Sequence, residues 1–204
     1  MRTASLSPFY FPGYPLRAMS VTVLTVGHSN RSLEALLGIL RAHGIGCLAD
    51  VRSVPRSRHN PQFNAESLSK TLPLAGIDYV PVPRLGGLRR PRPDSRNLAF
   101  RNDSFRGYAD YMETPDFEKG IAELLALARV KRTAIMCAEA IYDRCHRSLI
   151  ADALVCRGVE MVHLLDGNKT LKHPLTPAAR IVDGRPTYPA AQGSLPDIAD
   201  GEDT

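Results

Sequence analysis

The sequence has no long apolar run and no export signal. No stretch reaches the roughly 20 apolar residues that a membrane-spanning helix requires. Residues 1–20 are interrupted by Pro8, Pro12 and Pro15, where a signal peptide would need an unbroken apolar core. We therefore expect a cytoplasmic protein without a membrane partner. Since thiols stay reduced in that compartment, the four cysteines are expected to be free.

Fingerprints of known cofactor and metal sites are also missing. Neither the G-x-x-x-x-G-K-[ST] phosphate loop nor the G-x-G-x-x-G dinucleotide turn occurs, and no C-x2-C pairs indicate a zinc finger. Cys137 and Arg144 are spaced C-x6-R, one residue longer than the C-x5-R loop of cysteine phosphatases. Cys137-Ala138-Glu139 matches the first half of the zinc-deaminase signature, but no C-x-x-C follows. The sequence therefore assigns no cofactor, and we predict no metal site.

Negative charge is scarce where positive charge is densest. The net charge is +5 and the pI is about 9.2. Within 84–106 only Asp94 and Asp103 oppose seven arginines, which are Arg84, Arg89, Arg90, Arg92, Arg96, Arg101 and Arg106. This cluster predicts an anionic partner, and nucleic acid or phosphate is the leading candidate. The alternative is a solvated loop that only keeps the protein in solution.

Strand-like and helix-like apolar patterns alternate along the chain. β-branched and apolar runs predict strands at 21–26, 45–51, 77–82, 133–137 and 159–165. Helices are predicted after the capping residues Ser32, Asn64 and Thr114, near 105–112, and after the cysteine-containing segment 137–147. This order predicts an α/β fold with a mostly parallel sheet of about five strands and helices on both faces.

The predicted domain spans 21–189, because 204 residues suit one domain with a substantial core. An irregular extension at 1–20 and a disordered acidic tail at 190–204 are expected to flank it. Asp183-Gly184 predicts a small hairpin, and Pro81 indicates a position near a sheet edge or a strand end. Cys47 and Cys156 have apolar neighbours and are predicted core residues.

Three predicted strands end in polar residues. Gly27-His28-Ser29 follows the first, Asp50 and Arg52 follow the second, and Cys137 and Glu139 follow the fourth. Right-handed crossovers place the carboxyl ends of parallel strands at one edge of the sheet, where open α/β folds bind ligands. We therefore expect these side chains to face one shared crevice.

The segment 137–147 contains the most reactive groups. Cys145 lies near a predicted helix start between Arg144 and His146-Arg147, so a thiolate is favoured there, as a nucleophile or metal ligand. A packed structural thiol is the alternative. Glu139 is either a general acid or base or the partner of a buried arginine. Cys137, Cys145, His146 and His28 form a geometrically feasible ligand set, although we do not predict it to be occupied.

Other residues of the predicted crevice suit an anionic substrate. His28 is a candidate base or ligand, with a hydrogen-bonded strand-end histidine as the alternative. Asp50 and Arg52 share a face, so the carboxylate can orient the guanidinium toward a phosphate or simply be neutralised by it. Gly86-Gly87 permits backbone conformations closed to other residues, and with Arg89 behind it the loop can wrap a phosphate.

Five motifs occur in a fixed order: Gly27-His28-Ser29; Asp50-Val51-Arg52 with Pro55; Leu85-Gly86-Gly87 with Arg89; Tyr108-Ala109-Asp110-Tyr111-Met112; and Cys137-Ala138-Glu139 with Cys145-His146-Arg147. Together they resemble the family catalogued as domain of unknown function 488, over roughly residues 22–170. Some members of that family carry a general label of DNA-repair protein. The resemblance therefore adds DNA repair to the expected functions.

Three functions remain open from the sequence. The first is an enzyme acting on a phosphate-bearing substrate, a nucleic acid or nucleotide, with Cys145, Glu139, His28 and Cys137 as catalytic residues. Its predicted anion-binding residues are Arg52, Asp50, Ser29, Gly86, Gly87, Arg89, Arg144, His146 and Arg147. The second is a non-catalytic nucleic-acid-binding module built on the arginine-rich loop. The third is a thiol switch through Cys137 and Cys145. The oligomeric state is not predicted.

Overall fold

The computed structural model describes residues 21–165 and 168–190, and the predicted extension and nearly all of the predicted tail lie outside these ranges. The strands are β1 (Thr22–Gly27), β2 (Cys47–Asp50), β3 (Asp78–Pro81), β4 (Thr133–Cys137), β5 (Glu160–Leu164), β6 (Thr170–Lys172), β7 (Arg180–Val182) and β8 (Arg185–Thr187). The helices are α1 (Leu33–Ala42), α2 (Ala65–Leu74), α3 (Asp103–Tyr111), α4 (Pro115–Val130) and α5 (Arg147–Val155).

Six strands form one sheet in the order β3-β2-β4-β1-β5-β6. The first five are mutually parallel, and β6 pairs antiparallel with β5. This confirms the predicted α/β fold and the edge position of β3. The sequence did not predict β6, because a three-residue exposed strand has no apolar pattern to reveal it.

Helices cover both faces of the sheet, as predicted. On one face α1 and α2 pack Leu36 and Leu68 against Leu48 of β2. On the other face α3, α4 and α5 form a second core, in which Phe117 and Leu149 lie in the same apolar cluster as strand residues. The two faces therefore carry separate cores, so a side chain's position along its strand decides which helices it meets.

Local sequence signals explain most element boundaries. Ser32 caps α1 by accepting from the Ala35 N–H at 3.1 Å, and Thr114 caps α4. Asn64 precedes α2 as predicted, but its side chain instead accepts from the Ser57 N–H at 2.7 Å. Asp183 and Gly184 both have positive φ, which makes the predicted β7–β8 hairpin turn.

The strand order brings the ends of β1, β2 and β4 side by side. β4 lies between β1 and β2, and the chain leaving β4 crosses the end of β1. There the His28 N–H donates to the Cys137 carbonyl at 3.0 Å, and the Ser29 N–H donates to the Ala138 carbonyl at 2.8 Å. A Cβ on Gly27 would lie 1.9 Å from the Glu139 carbonyl oxygen, so only glycine allows this approach.

Within the described ranges, no helix combines the length and the apolar character needed to cross a bilayer.

Candidate functional site

A cavity of about 420 Å³ opens beside the end of β4, on the face covered by α3 and α5. The loop after β4, the residues preceding α5, the Gly87-Leu88 turn and the start of α3 form its walls. Its lining residues are Ser29, Gly87, Leu88, Ser104, Phe105, Tyr108, Cys137, Ala138, Glu139, Ala140, Arg144, Cys145 and His146. The cavity therefore contains most of the reactive residues of segment 137–147.

Two thiols and one imidazole nitrogen converge on the cavity wall. His146 Nδ1 lies 3.6 Å from the Cys145 sulfur and 4.0 Å from the Cys137 sulfur, and the three atoms lie within 4.8 Å of one another. Among the described residues, no other group of three or more His, Cys, Asp or Glu side chains converges in this way. The strand end supplies Cys137, and the turn into α5 supplies the other two residues.

The backbone fixes the orientation of the His146 ring. Its Nε2 lies 3.0 Å from the Val51 carbonyl oxygen, which only accepts hydrogen bonds, so Nε2 bears a proton. In the neutral ring Nδ1 then has a free lone pair directed at the two sulfurs. Gly87 packs against this ring, where a Cβ would lie 3.0 Å from Nδ1. Gly87 therefore makes room for the imidazole, whereas Gly86 lies against Ser53 and Pro83.

The surroundings of Cys145 favour its thiolate. A hydrogen bond from the Cys137 thiol is the largest cause that lowers the pKa of Cys145. It is followed by the hydrogen bond and charge that the His146 ring supplies when Nδ1 also bears a proton, and by the charge of Arg147. The Arg147 Nε–H also donates to the Cys145 sulfur at 3.5 Å. The same sulfur–sulfur hydrogen bond, together with burial, raises the pKa of Cys137. Of the two thiols, Cys145 is therefore the one whose thiolate the surroundings favour.

Arg147 is fully buried and its guanidinium is occupied within the fold. It donates to the carbonyls of Glu139 and Ala140 and, at 3.4 Å, to the Thr25 hydroxyl. These bonds hold the loop after β4 in place. Arg147 therefore supports the site from behind, and it does not line the cavity where the sequence placed it as an anion-binding residue.

A buried polar chain continues from Thr25, and sequence reasoning missed it. His163 Nδ1 lies 2.7 Å from the Thr25 hydroxyl, and its Nε2 lies 2.8 Å from His173 Nδ1. His173 Nε2 lies 2.9 Å from Asp152, which also accepts from the Tyr188 hydroxyl at 2.8 Å. The available signals were a histidine inside the apolar β5 run and a carboxylate on the apolar face of α5.

His28, Asp50 and Arg52 form a separate cluster on the opposite face of the sheet. Asp50 binds Arg52 at 2.6 Å and accepts from the Tyr79 hydroxyl at 2.6 Å. Arg52 donates to His28 Nε2 at 3.1 Å, while His28 Nδ1 donates to the Ser29 carbonyl at 2.8 Å. The His28 ring stacks on Phe63, and burial lowers the pKa of His28. Both nitrogens of this neutral imidazole are therefore engaged.

The expectation of one shared crevice is corrected by this arrangement. The ends of β1, β2 and β4 do meet at one edge, but alternation along each strand sends their side chains to opposite faces. His28, Asp50 and Arg52 fall on the α1/α2 face, while Cys137 falls on the α3/α5 face. The cavity that contains the reactive thiols lies on the second face.

Of the remaining predicted residues, Ser29, Glu139 and Arg144 line the cavity, whereas Arg89 does not. Arg89 lies over the Tyr111 ring at 3.6 Å and donates to the Gly86 carbonyl, so it is held by the fold. Glu139 is exposed and its carboxylate accepts from the Ile141 N–H at 3.1 Å. Arg144 is exposed, lines the cavity and has no ion-pair partner among the described residues.

Comparison with known proteins agrees with the resemblance read from the sequence motifs. The family model described as "Domain of unknown function DUF488" matches residues 32–154, from the first residues of α1 to near the end of α5. No curated protein and no solved structure matches the chain. The matched segment includes Cys137, Cys145 and His146. By this match over more than half of its length, the chain belongs to the DUF488 family.

Proposed function

We propose that this protein is an enzyme that acts on an anionic substrate in the cavity, with Cys137, Cys145 and His146 as its reactive centre. One observation carries the proposal: two sulfurs and an imidazole nitrogen meet at 3.6 and 4.0 Å on the wall of an open cavity. A thiolate beside a histidine and a helix start is the arrangement that activates cysteine in enzymes.

Two charged residues at the cavity support specific roles. Glu139 has an exposed carboxylate on the cavity that contains the reactive centre, and a carboxylate in that position is suited to general base catalysis. Arg144 offers an exposed guanidinium, whose planar donors match phosphate and carboxylate groups. A phosphate-bearing molecule is therefore the first substrate class to test.

Hydrogen bonding and position support some of the candidate site residues over others. Arg52, Arg89 and Arg147 are held by partners inside the fold, and His28 lies on the opposite face of the sheet from the cavity. We therefore assign catalysis to Cys145, Cys137, His146 and Glu139, and substrate binding to Arg144 and the Ser29 hydroxyl.

A substrate panel tests the proposal. The panel comprises p-nitrophenyl phosphate, bis(p-nitrophenyl) phosphate, nucleoside phosphates, and single-stranded and duplex oligonucleotides. With the substrate that reacts, we expect Cys145→Ser and Glu139→Gln each to lower kcat/KM by about a hundredfold or more, while Cys156→Ala, a buried cysteine outside the cavity, keeps it. Turnover that survives both substitutions, or no turnover of any panel member, would reject the proposal.

Nucleic-acid binding without catalysis is the second candidate. Of the seven arginines in 84–106, Arg90, Arg96 and Arg101 are exposed and have no ion-pair partner in the described part of the chain. Replacing all three by alanine is expected to weaken oligonucleotide binding and to flatten its salt dependence. Filter binding over a salt series measures both effects, and equal affinity of wild type and triple variant would end this candidate.

A further inference from the structure

The three converging side chains have the donor types of a soft metal site. Two cysteine sulfurs and one histidine nitrogen face a common point, and the cavity adjoins all three residues. Resting on the proposal that this cluster is the reactive centre, we propose that Cys137, Cys145 and His146 bind a divalent zinc-class ion, with a fourth coordination position open to the cavity.

The distances fit a tetrahedral ion. Bonds of about 2.3 Å to sulfur and about 2.05 Å to nitrogen place tetrahedral sulfur and nitrogen ligands about 3.5 Å apart, and two sulfurs about 3.8 Å apart. The two nitrogen–sulfur separations here are 3.6 and 4.0 Å, and no ligand pair exceeds 4.8 Å. To reach tetrahedral geometry the nitrogen–sulfur separations shorten by at most about 0.5 Å, and the sulfur–sulfur separation by at most about 1 Å.

The histidine is oriented as a metal ligand. Metal-binding histidines donate their second ring N–H to a carbonyl or carboxylate, which fixes the ring and its tautomer. Here Nε2 is held by the Val51 carbonyl at 3.0 Å, which leaves Nδ1 to the ion. If His146 only activated Cys145, a single close sulfur contact would suffice. Instead, Nδ1 lies at comparable distances from two sulfurs.

The neighbouring groups fit an ion bound by thiolates. The Arg147 Nε–H donates to the Cys145 sulfur at 3.5 Å, which offsets the negative charge of a thiolate ligand. Sulfur and imidazole ligands select zinc and related transition metals over magnesium or calcium, which prefer oxygen. Three protein ligands and an open fourth position are typical of catalytic zinc, and Glu139 lies on the same cavity to serve a bound water.

Direct metal measurements on the full-length protein test the inference. Reduced, metal-free protein is titrated with Co²⁺ and with Zn²⁺. We expect about one ion per chain, a near-ultraviolet thiolate-to-cobalt absorption band, and protection of two thiols from alkylation. Cys137→Ser, Cys145→Ser and His146→Asn should each weaken binding by about a hundredfold or more.

The controls are Cys156→Ala and His59→Asn, which remove a buried cysteine and an exposed histidine outside the cluster and should bind like wild type. Circular dichroism checks that each variant folds. If a variant does not fold, the cobalt absorption and thiol protection of the wild-type protein still test the inference. Wild-type protein that gains no cobalt band, or a Cys137–Cys145 disulfide that forms while no metal binds, would overturn the inference.

The outcome separates the two proposals. Metal binding without turnover of any anionic substrate would leave the metal site standing and reject the proposed function. Turnover that is abolished by alkylating Cys145, in a protein that gains no cobalt band, would reject the metal site and leave the proposed function standing.

Discussion

The Val51 carbonyl oxygen lies 3.0 Å from His146 Nε2 and so sets which ring nitrogen faces the two sulfurs. Val51 directly follows β2, whereas the sulfurs come from β4 and the turn before α5. Two segments separated by more than eighty residues are therefore joined through one imidazole ring.

This contact predicts that two different substitutions of His146 both lower the reactivity of Cys145. His146→Gln retains a donor near Val51 but places nothing at Nδ1, while His146→Asn has an amide near Nδ1 and loses the Val51 bond. Both remove the imidazole beside Cys145, so thiolate reactivity should fall about tenfold or more. The iodoacetamide alkylation rate of Cys145 in reduced, metal-free protein measures this, and an unchanged rate in both variants would contradict it.

Gly27 is predicted to be the least replaceable glycine of the site. In Gly27→Ala the new methyl group would meet the Glu139 carbonyl at 1.9 Å, which forces the loop after β4 away from β1 and should cost about 1–3 kcal/mol or more. Gly38→Ala is the matched control, because Gly38 lies in α1 with nothing within 4 Å of an added Cβ. That variant should be unchanged or more stable. Urea denaturation compares them, and equal midpoints would refute the prediction.

The Asp50–Arg52 ion pair is predicted to matter far more than an exposed pair of similar length. Asp50→Asn leaves a buried guanidinium without its carboxylate and should destabilise the fold by about 3–5 kcal/mol. In the control Glu66→Gln, the lost partner is Lys70 on the solvent-exposed side of α2, where water replaces it, and the unfolding midpoint should not move measurably. Similar shifts in the two variants would show that burial does not decide the effect.

Acid is predicted to destabilise the fold through His163. Burial, reinforced by the charges of His173 and Arg147, lowers the pKa of His163 from 6.5 to about 3. The unfolded chain therefore binds this proton first as pH falls. The stability due to the neutral ring is complete above about pH 6.5 and is lost progressively toward pH 3, at up to about 1.4 kcal/mol per pH unit.

The test compares unfolding free energies of wild type, His163→Gln and His59→Asn between pH 7 and pH 4. His163→Gln should be less stable at pH 7 but should show a shallower acid slope. His59 is exposed, so its variant should keep the wild-type slope. A His163→Gln slope equal to that of wild type would assign the acid effect to another group.

Much of the fold could be predicted because its signals are local. Ser32 and Thr114 mark helix starts through hydrogen bonds that span three residues, and Asp183-Gly184 marks a turn through its own backbone angles. Likewise Cys47 and Cys156 are buried as their apolar neighbours predicted. These features depend on the few residues around them, which is the information that a single sequence contains.

The division of the site between two faces could not be predicted in the same way. The i, i+2 alternation groups His28 with Val26 and Arg52 with Asp50, but it does not say which helices cover that face. Arg147 illustrates a second limit. Its role depends on the carbonyls of Glu139 and Ala140 turning inward, a property of loop conformation that residue types do not encode.

Asp152 accepts hydrogen bonds from His173, Thr176 and Tyr188, which follow it in the chain by 21, 24 and 36 residues. During translation this carboxylate therefore leaves the ribosome well before the groups that satisfy it. A nascent chain that has already formed α5 must keep Asp152 hydrated, because a buried carboxylate without partners is strongly unfavourable. The buried hydrogen-bonded chain that ends at Asp152 can therefore be completed only after Tyr188 has left the ribosome.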